Sequence, residues 1–242
     1  MRKLFSIITP TAGTRPRALA QCVRSVAEAA DRAELPSGAI EHLIGFDGVP
    51  ARLQDPSPFT RAMRLPPDND WGNGIRNILL RAASGDRIIF LDDDNILQPI
   101  AFAVYMEHPD AEMVVARADT QRAFDQPFLP VIEPGEAPED IIRQCNIDPL
   151  CLCLSRELVV TRCGGWNHPG KYEADFLNIR HYHRRARSVV FIDDVVGVYD
   201  YGRNLDRAAL SRRQENLLDR LRRERSAPVV RLDDHRGKAV AL

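Results

Sequence analysis

The sequence predicts an α/β protein with a mostly parallel sheet flanked by helices, in one domain followed by a C-terminal helical extension. Three observations carry that prediction. Short apolar runs alternate with segments of helical period along most of the chain. The first three elements read strand, helix, strand, the unit that builds parallel pairing. One apolar run, Ile88-Ile89-Phe90-Leu91, leads straight into Asp92-Asp93-Asp94. Three carboxylates then stand at the carboxyl end of a strand, where open α/β sheets bind ligands.

Each element has its own signal. Leu4 to Thr9 is a short apolar run closed by Thr-Pro and reads as a buried strand. Arg17 to Arg32 carries Leu19, Cys22, Val23, Val26 and Ala30 at helical spacing. Ile40 to Phe46 is a second strand that ends at Asp47-Gly48, and Ala51 to Asp70 reads as irregular. Gly74 to Ala83 is helical by period, with Ser84-Gly85-Asp86 as its stop. Arg87 to Leu91 is the strand that meets the three aspartates. A helix start is read at Pro99 to Met106 and a strand at Glu112 to Arg117.

The stretch Ala118 to Asp140, with four prolines, reads as a long loop, which in a compact domain tends to carry function. Asp148 to Ser155 reads as a strand with Cys151 and Cys153 on one face. Arg156 to Cys163 and Tyr172 to Arg185 read as helices, and Val189 to Val198 as the last strand. Leu205 to Arg225 reads as a charged helix. The domain is therefore expected to span residues 1–204, with the helix and tail at 205–242.

Composition narrows the class. Hydrophobic residues make up 44% of the 242 and charged residues 28%, which suits a globular core and argues against wholesale disorder. Lys+Arg number 33 against 34 Asp+Glu, so the basic excess of a nucleic-acid binder is missing and no nucleic-acid partner is expected. The five cysteines include no C-x2-C pair and read as reduced thiols. No apolar run reaches transmembrane length and no signal peptide is visible, so a cytoplasmic protein without a transmembrane segment is expected. The C-terminal helix reads as a solvated or homodimer-contact helix, because its acids and modest apolar face argue against a membrane surface.

The aspartate run carries the chemistry. Three adjacent like charges at a sheet edge repel, and a divalent cation with a taste for hard oxygen, Mg2+ or Mn2+, relieves the repulsion. Asp92 and Asp94, two apart, point to one side if strand geometry continues. The competing reading is a solvated acidic turn that caps the next helix. For Asp47 the competing reading is a turn aspartate, and for Arg76 a helix-surface arginine.

In their order along the chain these pieces resemble the family-2-like glycosyltransferases of the GT-A fold, a Rossmann-like arrangement. The match runs from Phe5-Ser6-Ile7-Ile8-Thr9-Pro10-Thr11 through Phe46-Asp47-Gly48 and Gly74-Ile75-Arg76-Asn77. It continues with Ala83-Ser84-Gly85-Asp86 to Leu91-Asp92-Asp93-Asp94-Asn95, where the family's Asp-x-Asp motif stands. The resemblance covers roughly residues 4–204. It implies an inverting sugar transfer from a nucleotide-diphosphate donor, a UDP- or GDP-sugar, to an acceptor that the sequence does not name. It implies a metal held by Asp94, with Asp92 on the metal through water or on the ribose, and Asp93 in the same nucleotide site. Asp47 would accept from the base and Arg76 would pair with phosphate. Thr9, Thr11 and Arg15 would line the nucleotide pocket.

The resemblance also implies a base at the start of a late helix: Asp175, with Glu173 as the substitute, after Gly164-Gly165-Trp166. Acids two apart on a helix do not share a face, so one of the pair is expected to point inward. Trp166 is read either as a sugar-stacking or as a core residue. The family's late histidine ligand is missing; Tyr199-Asp200-Tyr201 stands there, and Asp200 is its candidate replacement. His181 and His183 read as surface residues. Two other functions are kept open. A haloacid-dehalogenase-like phosphatase would use Asp92-Asp93-Asp94-Asn95-Ile96 with Asp193-Asp194, and a catalytically silent GT-A domain would bind nucleotide without turnover.

Overall fold

The structure, a computed structural model, describes residues 2–168 and 173–206. In chain order it runs β1 (Phe5–Thr11), α1 (Pro16–Arg32), β2 (Ile40–Asp47), β3 (Thr60–Leu65), α2 (Asn73–Ala82) and β4 (Arg87–Phe90). It continues with β5 (Ile96–Leu97), α3 (Ala101–Met106), β6 (Met113–Asp119), β7 (Phe128–Leu129) and α4 (Pro138–Ile141). The last elements are β8 (Leu152–Ser155), α5 (Ala174–Arg185) and β9 (Val189–Val198). The charged helix expected from Leu205 lies, beyond Asp206, outside the described residues.

One curled sheet unites the described strands in the order β3-β2-β1-β4-β8-β6-β9-β5, with β7 paired to β6. β3, β2, β1 and β4 are parallel. β8 enters antiparallel between β4 and β6, and β6 and β9 are again parallel. This register has one consequence for function. The carboxyl ends of β1, β2, β4, β6 and β9 and the amino end of β8 all reach the same edge. Thr11, Asp47, Asp92, Asp119, Asp148 and Tyr199 are therefore neighbours of that edge, though they are far apart in sequence.

The core follows from the pattern. β1 is buried at every position and β2 at all but its last, as strands covered on both faces must be. α1 begins with Pro16 in its first turn and buries Leu19, Cys22, Val23, Val26, Ala29 and Ala30 at spacings of three and four. Burying each of Leu19, Val23 and Val26 is worth about 1.5–3 kcal/mol against exposure, so this face, not the intrinsic helix preference, fixes α1 on the sheet.

Two expectations are corrected. The segment read as irregular contains β3, a mostly polar edge strand parallel to β2, whose exposed positions carry no apolar alternation to announce it. The strand expected from Asp148 starts only at Leu152, because Asp148 caps a single 3-10 turn over Pro149–Cys151. Cys151 and Cys153 are both buried, but only Cys153 is a strand residue.

Gly85, just before β4, makes the closest approach to backbone of the described glycines. A methyl there would stand 2.6 Å from the backbone of Phe5 and Ser6, and the backbone cannot give way. Its N–H donates to Ser6 Oγ at 2.8 Å, and Ser6 Oγ in turn donates to buried Glu41. Gly85→Ala is expected to lower stability by about 1–3 kcal/mol, seen as a lower urea midpoint with an unchanged slope. An unchanged midpoint would show that the β1 edge yields.

Candidate active site

The site starts at the turn after β4. Asp92 keeps a side chain that is 35% exposed, and its Oδ1 accepts from Arg76 Nη2 at 2.5 Å. Arg76 rises from α2 and is almost wholly buried. Its Nη1 donates to the Trp71 carbonyl at 3.1 Å, and its guanidinium lies 5.0 Å from the centre of the Trp166 ring. Asp93 is turned inward: it accepts from Thr11 Oγ1 at 2.5 Å and pairs with Arg15 at 2.6 Å. Burial, set against Arg15 and Thr11, raises its pKa to about 6. Asp94 pairs with the other guanidinium nitrogen of Arg15.

The segment after β9 folds back over this turn. The Gly202 N–H donates to the Asp94 carbonyl at 2.8 Å, and the Asp200 N–H donates to Asn95 Oδ1 at 2.7 Å. Buried Asp206 accepts from the N–H groups of Arg17 and Ala18, the free donors at the start of α1. Asp200, which stands in place of the expected histidine, pairs with Arg203 at 3.0 Å. Burial, with the charge of Asp94 adding, raises its pKa to about 6.

A cleft of about 520 Å3 opens beside Asp92. Its described acids are Asp92, Asp148, Glu173 and Asp175, and its described cation is Arg76. Asp175 sits in the first turn of α5. Burial raises its pKa, the charge of Asp92 adds, and Arg76 opposes. Asp148 goes further, to about 8, from burial and then from the charges of Asp175 and Asp92. Its Oδ1 accepts from the Leu150 N–H at 2.9 Å. Burial thus favours the neutral acid of Asp148, the form that can donate a hydrogen bond.

The structure moves several expected site residues. Thr9 is fully buried and its hydroxyl is shared with His42 at 2.8 Å, so it is core and not pocket lining. Thr11 is buried too, and it spends its hydroxyl on Asp93. Asp93 is buried and spends its carboxylate on Thr11 and Arg15. Arg76 is no surface arginine. Asp47 holds the next loop through the N–H groups of Asp68 at 2.6 Å and Asn69 at 3.2 Å. Trp166 is core: its Nε1–H donates to Asn73 Oδ1 at 2.8 Å and its ring centre is 4.7 Å from that of Phe90.

Glu173 and Asp175 both line the cleft, because Glu173 precedes the helix and escapes its periodicity. His181 is half-buried, its ring 4.9 Å from that of His168. Asp193 and Asp194, the pair a phosphatase would need, are exposed on β9, and neither lines the cleft. Sequence reasoning missed Asp148 and Trp71 as cleft residues. An Asp before Pro does signal a capped turn, which would have ended the supposed strand at Asp148.

The fold is of the GT-A type, a curled and mostly parallel sheet flanked by helices. The chain resembles Staphylococcus aureus TarS 1–349, with a TM-score of 0.64 at 15% identity over 81% of this chain and 60% of that one. The same fragment in complex with UDP-GlcNAc matches equally, over 58% of its length. The mannosyltransferase PcManGT from Pyrobaculum calidifontis, in complex with GDP-Man and Mn2+, matches with a TM-score of 0.55 at 15% identity, over 83% of this chain and 57% of that one. The chain thus spans about 60% of the length of the TarS fragment. No protein-family model and no curated protein matches the sequence. No helix among the described residues is long and apolar enough to cross a membrane.

The raised pKa of Asp148 has a stability consequence. An acid whose folded pKa lies above its unfolded value favours the fold below the unfolded value and loses that contribution as pH rises through the folded one. Asp148→Asn keeps the acceptor for Leu150 and removes the ionisation. In the metal-free protein its stability relative to wild type is expected to grow between pH 4 and pH 8. A pH-independent difference in urea midpoints would contradict this.

Proposed function

We propose that the chain is an inverting glycosyltransferase that moves a sugar from a nucleoside-diphosphate donor to an acceptor hydroxyl, aided by Mn2+ or Mg2+. The observation that carries this reading is the shared cleft: Asp92, from the metal-type acidic turn, and Asp175, a carboxyl of raised pKa, line one space at the carboxyl edge of the sheet. The likeness to structures holding UDP-GlcNAc or GDP-Man with Mn2+ supports the donor class.

The donor set fits a divalent metal. No group of three or more candidate ligands is assembled among the described residues. Mg2+ and its relatives are commonly held by one or two carboxylates together with substrate phosphates. Asp94 would be the direct ligand, with Asp92 beside it and Asp200 near, and the diphosphate would complete the set. When bound, the metal supplies positive charge for the departing diphosphate. The cleft argues for that charge, because its one described cation, Arg76, is already paired with Asp92.

The chain's own residues do the rest. Arg15, whose side chain is 38% exposed, is free to trade its aspartates for phosphate oxygens. Asp47, at the end of β2, would accept from the base N–H in exchange for one of its loop contacts. Asp175 takes the proton from the acceptor hydroxyl, and burial, by raising its pKa, makes it more basic than a free carboxylate. Glu173, exposed and held by Gln144 at 3.2 Å, is better placed to bind the acceptor than to act as base.

Asp94→Ala is expected to abolish the Mn2+-dependent rise in thermal midpoint given by UDP or GDP. An undiminished rise would remove the metal assignment. Asp175→Asn is expected to keep that rise and to lower the transfer rate by roughly 10²–10⁴-fold. A wild-type rate would reject Asp175 as base.

A further inference from the structure

Trp71 is the most exposed large hydrophobic side chain among the described residues, at 75%, and it lines the cleft. Its backbone has φ of +55°, a region that bulky residues rarely enter and that costs about 1–3 kcal/mol. Nothing in the core repays that cost, because the ring lies outside. The conformation is nevertheless held: the Trp71 carbonyl accepts from buried Arg76, and the next residues, Gly72 and Asn73, open α2. The sheet edge thus presents an indole in a strained but fixed position.

Three more aromatics line the same cleft from separate segments: Phe124 from the loop after β6, Phe176 from α5 and Tyr199 after β9. Phe124 is also exposed, at 44%, and its ring centre is 5.3 Å from that of Tyr199. Between these apolar faces stand amides. Asn73 is about 95% buried; its Oδ1 is used by Trp166, while its Nδ2 has no partner among the described residues. An orphan buried donor at a cleft wall calls for a ligand acceptor. Gln126 and Gln144 add groups that donate and accept at once.

The charge balance sets the ligand's sign. The one described arginine of the cleft is already paired with Asp92, and Glu173 stands exposed with only Gln144 as partner, so an anionic acceptor would find no free cation and would meet a carboxylate. Flat aromatic faces beside amides suit a ring with apolar C–H faces and hydroxyl edges. We infer that the acceptor is an uncharged saccharide and that Trp71 is the platform on which its ring stacks, with Asn73 hydrogen-bonding its hydroxyls. This rests on the glycosyltransferase reading and names the acceptor class for it.

The chain's two tryptophans make the test direct, since Trp166 is buried and Trp71 is exposed. The full chain is titrated with neutral manno-, cello- and chito-oligosaccharides, with size-matched oligogalacturonides, and with an aromatic alcohol. Indole emission and acrylamide quenching are followed. The expected result is a blue shift and protection from quenching by at least one neutral series, and weaker or no effect from the anionic series and the alcohol. Trp71→Ala should weaken that saccharide binding at least tenfold, and Trp71→Phe should recover part of it. Both variants should keep the wild-type thermal shift with UDP or GDP and Mn2+.

Tighter binding of the oligogalacturonides or the alcohol would overturn the inference. So would unchanged saccharide affinity in Trp71→Ala, or nucleotide binding with no saccharide effect in any series. Saccharide protection without any nucleotide shift would overturn the donor reading instead and leave the saccharide site at Trp71 standing.

Discussion

Three adjacent carboxylates at the end of a buried strand are a constraint before they are a site. Their repulsion has to be met in the ligand-free fold, and two arginines from different segments meet it. Arg76 reaches Asp92 from α2, and Arg15, at the start of α1, reaches Asp93 and Asp94. Each pairing carries structure outward. Arg76 also ties down the Trp71 carbonyl and lies over the Trp166 ring, which binds the loop before α2 to the β4 edge. Arg15 connects the aspartate turn to α1, whose own start is capped by Asp206. The charges that would hold a diphosphate are thus also the fastening between sheet and helices.

That double use explains what could and could not be read from the sequence. β1, α1, β2, α2 and β4 were legible because each carries an apolar period that burial enforces. The aspartate turn was legible because like charges in a row need a reason. β3 was not, since an edge strand with polar exposed positions pairs through its backbone and leaves no side-chain period. Asp148 was not, because its importance comes from β8 running antiparallel, which brings the amino end of that strand to the edge where the other strands end. A single sequence shows periods and runs; which ends of which strands meet is a property of the pairing.

Four side chains that the sequence reading set near a nucleotide or sugar share one physical feature. Thr9, Thr11, Asp93 and Trp166 are polar or amphipathic groups close to the site, but the buried polar atoms of the core needed partners first. Thr9 answers His42, Thr11 answers Asp93, and Trp166 answers Asn73. Residue type and proximity in the chain cannot separate a side chain that serves a ligand from one that serves its neighbour. Exposure can: Asp92, Trp71 and Glu173 reach the open cleft, and Thr9 and Asp93 do not.

The cleft brings two kinds of group together. Asp92 reaches it already paired with Arg76, while Asp93 and Asp94 are paired with Arg15. Trp71, Phe124 and Tyr199 line the same space with aromatic faces, and Asn73, Gln126 and Gln144 line it with amides. Asp148 and Asp175 stand in the same cleft, where burial favours their neutral forms. Arg76 works against burial at both carboxyls: at Asp175 it is second only to burial, and at Asp148, driven to about 8, it is the least of the influences. The buried arginine that quiets the aspartate turn thus also bears on the ionisation of the acids in the cleft.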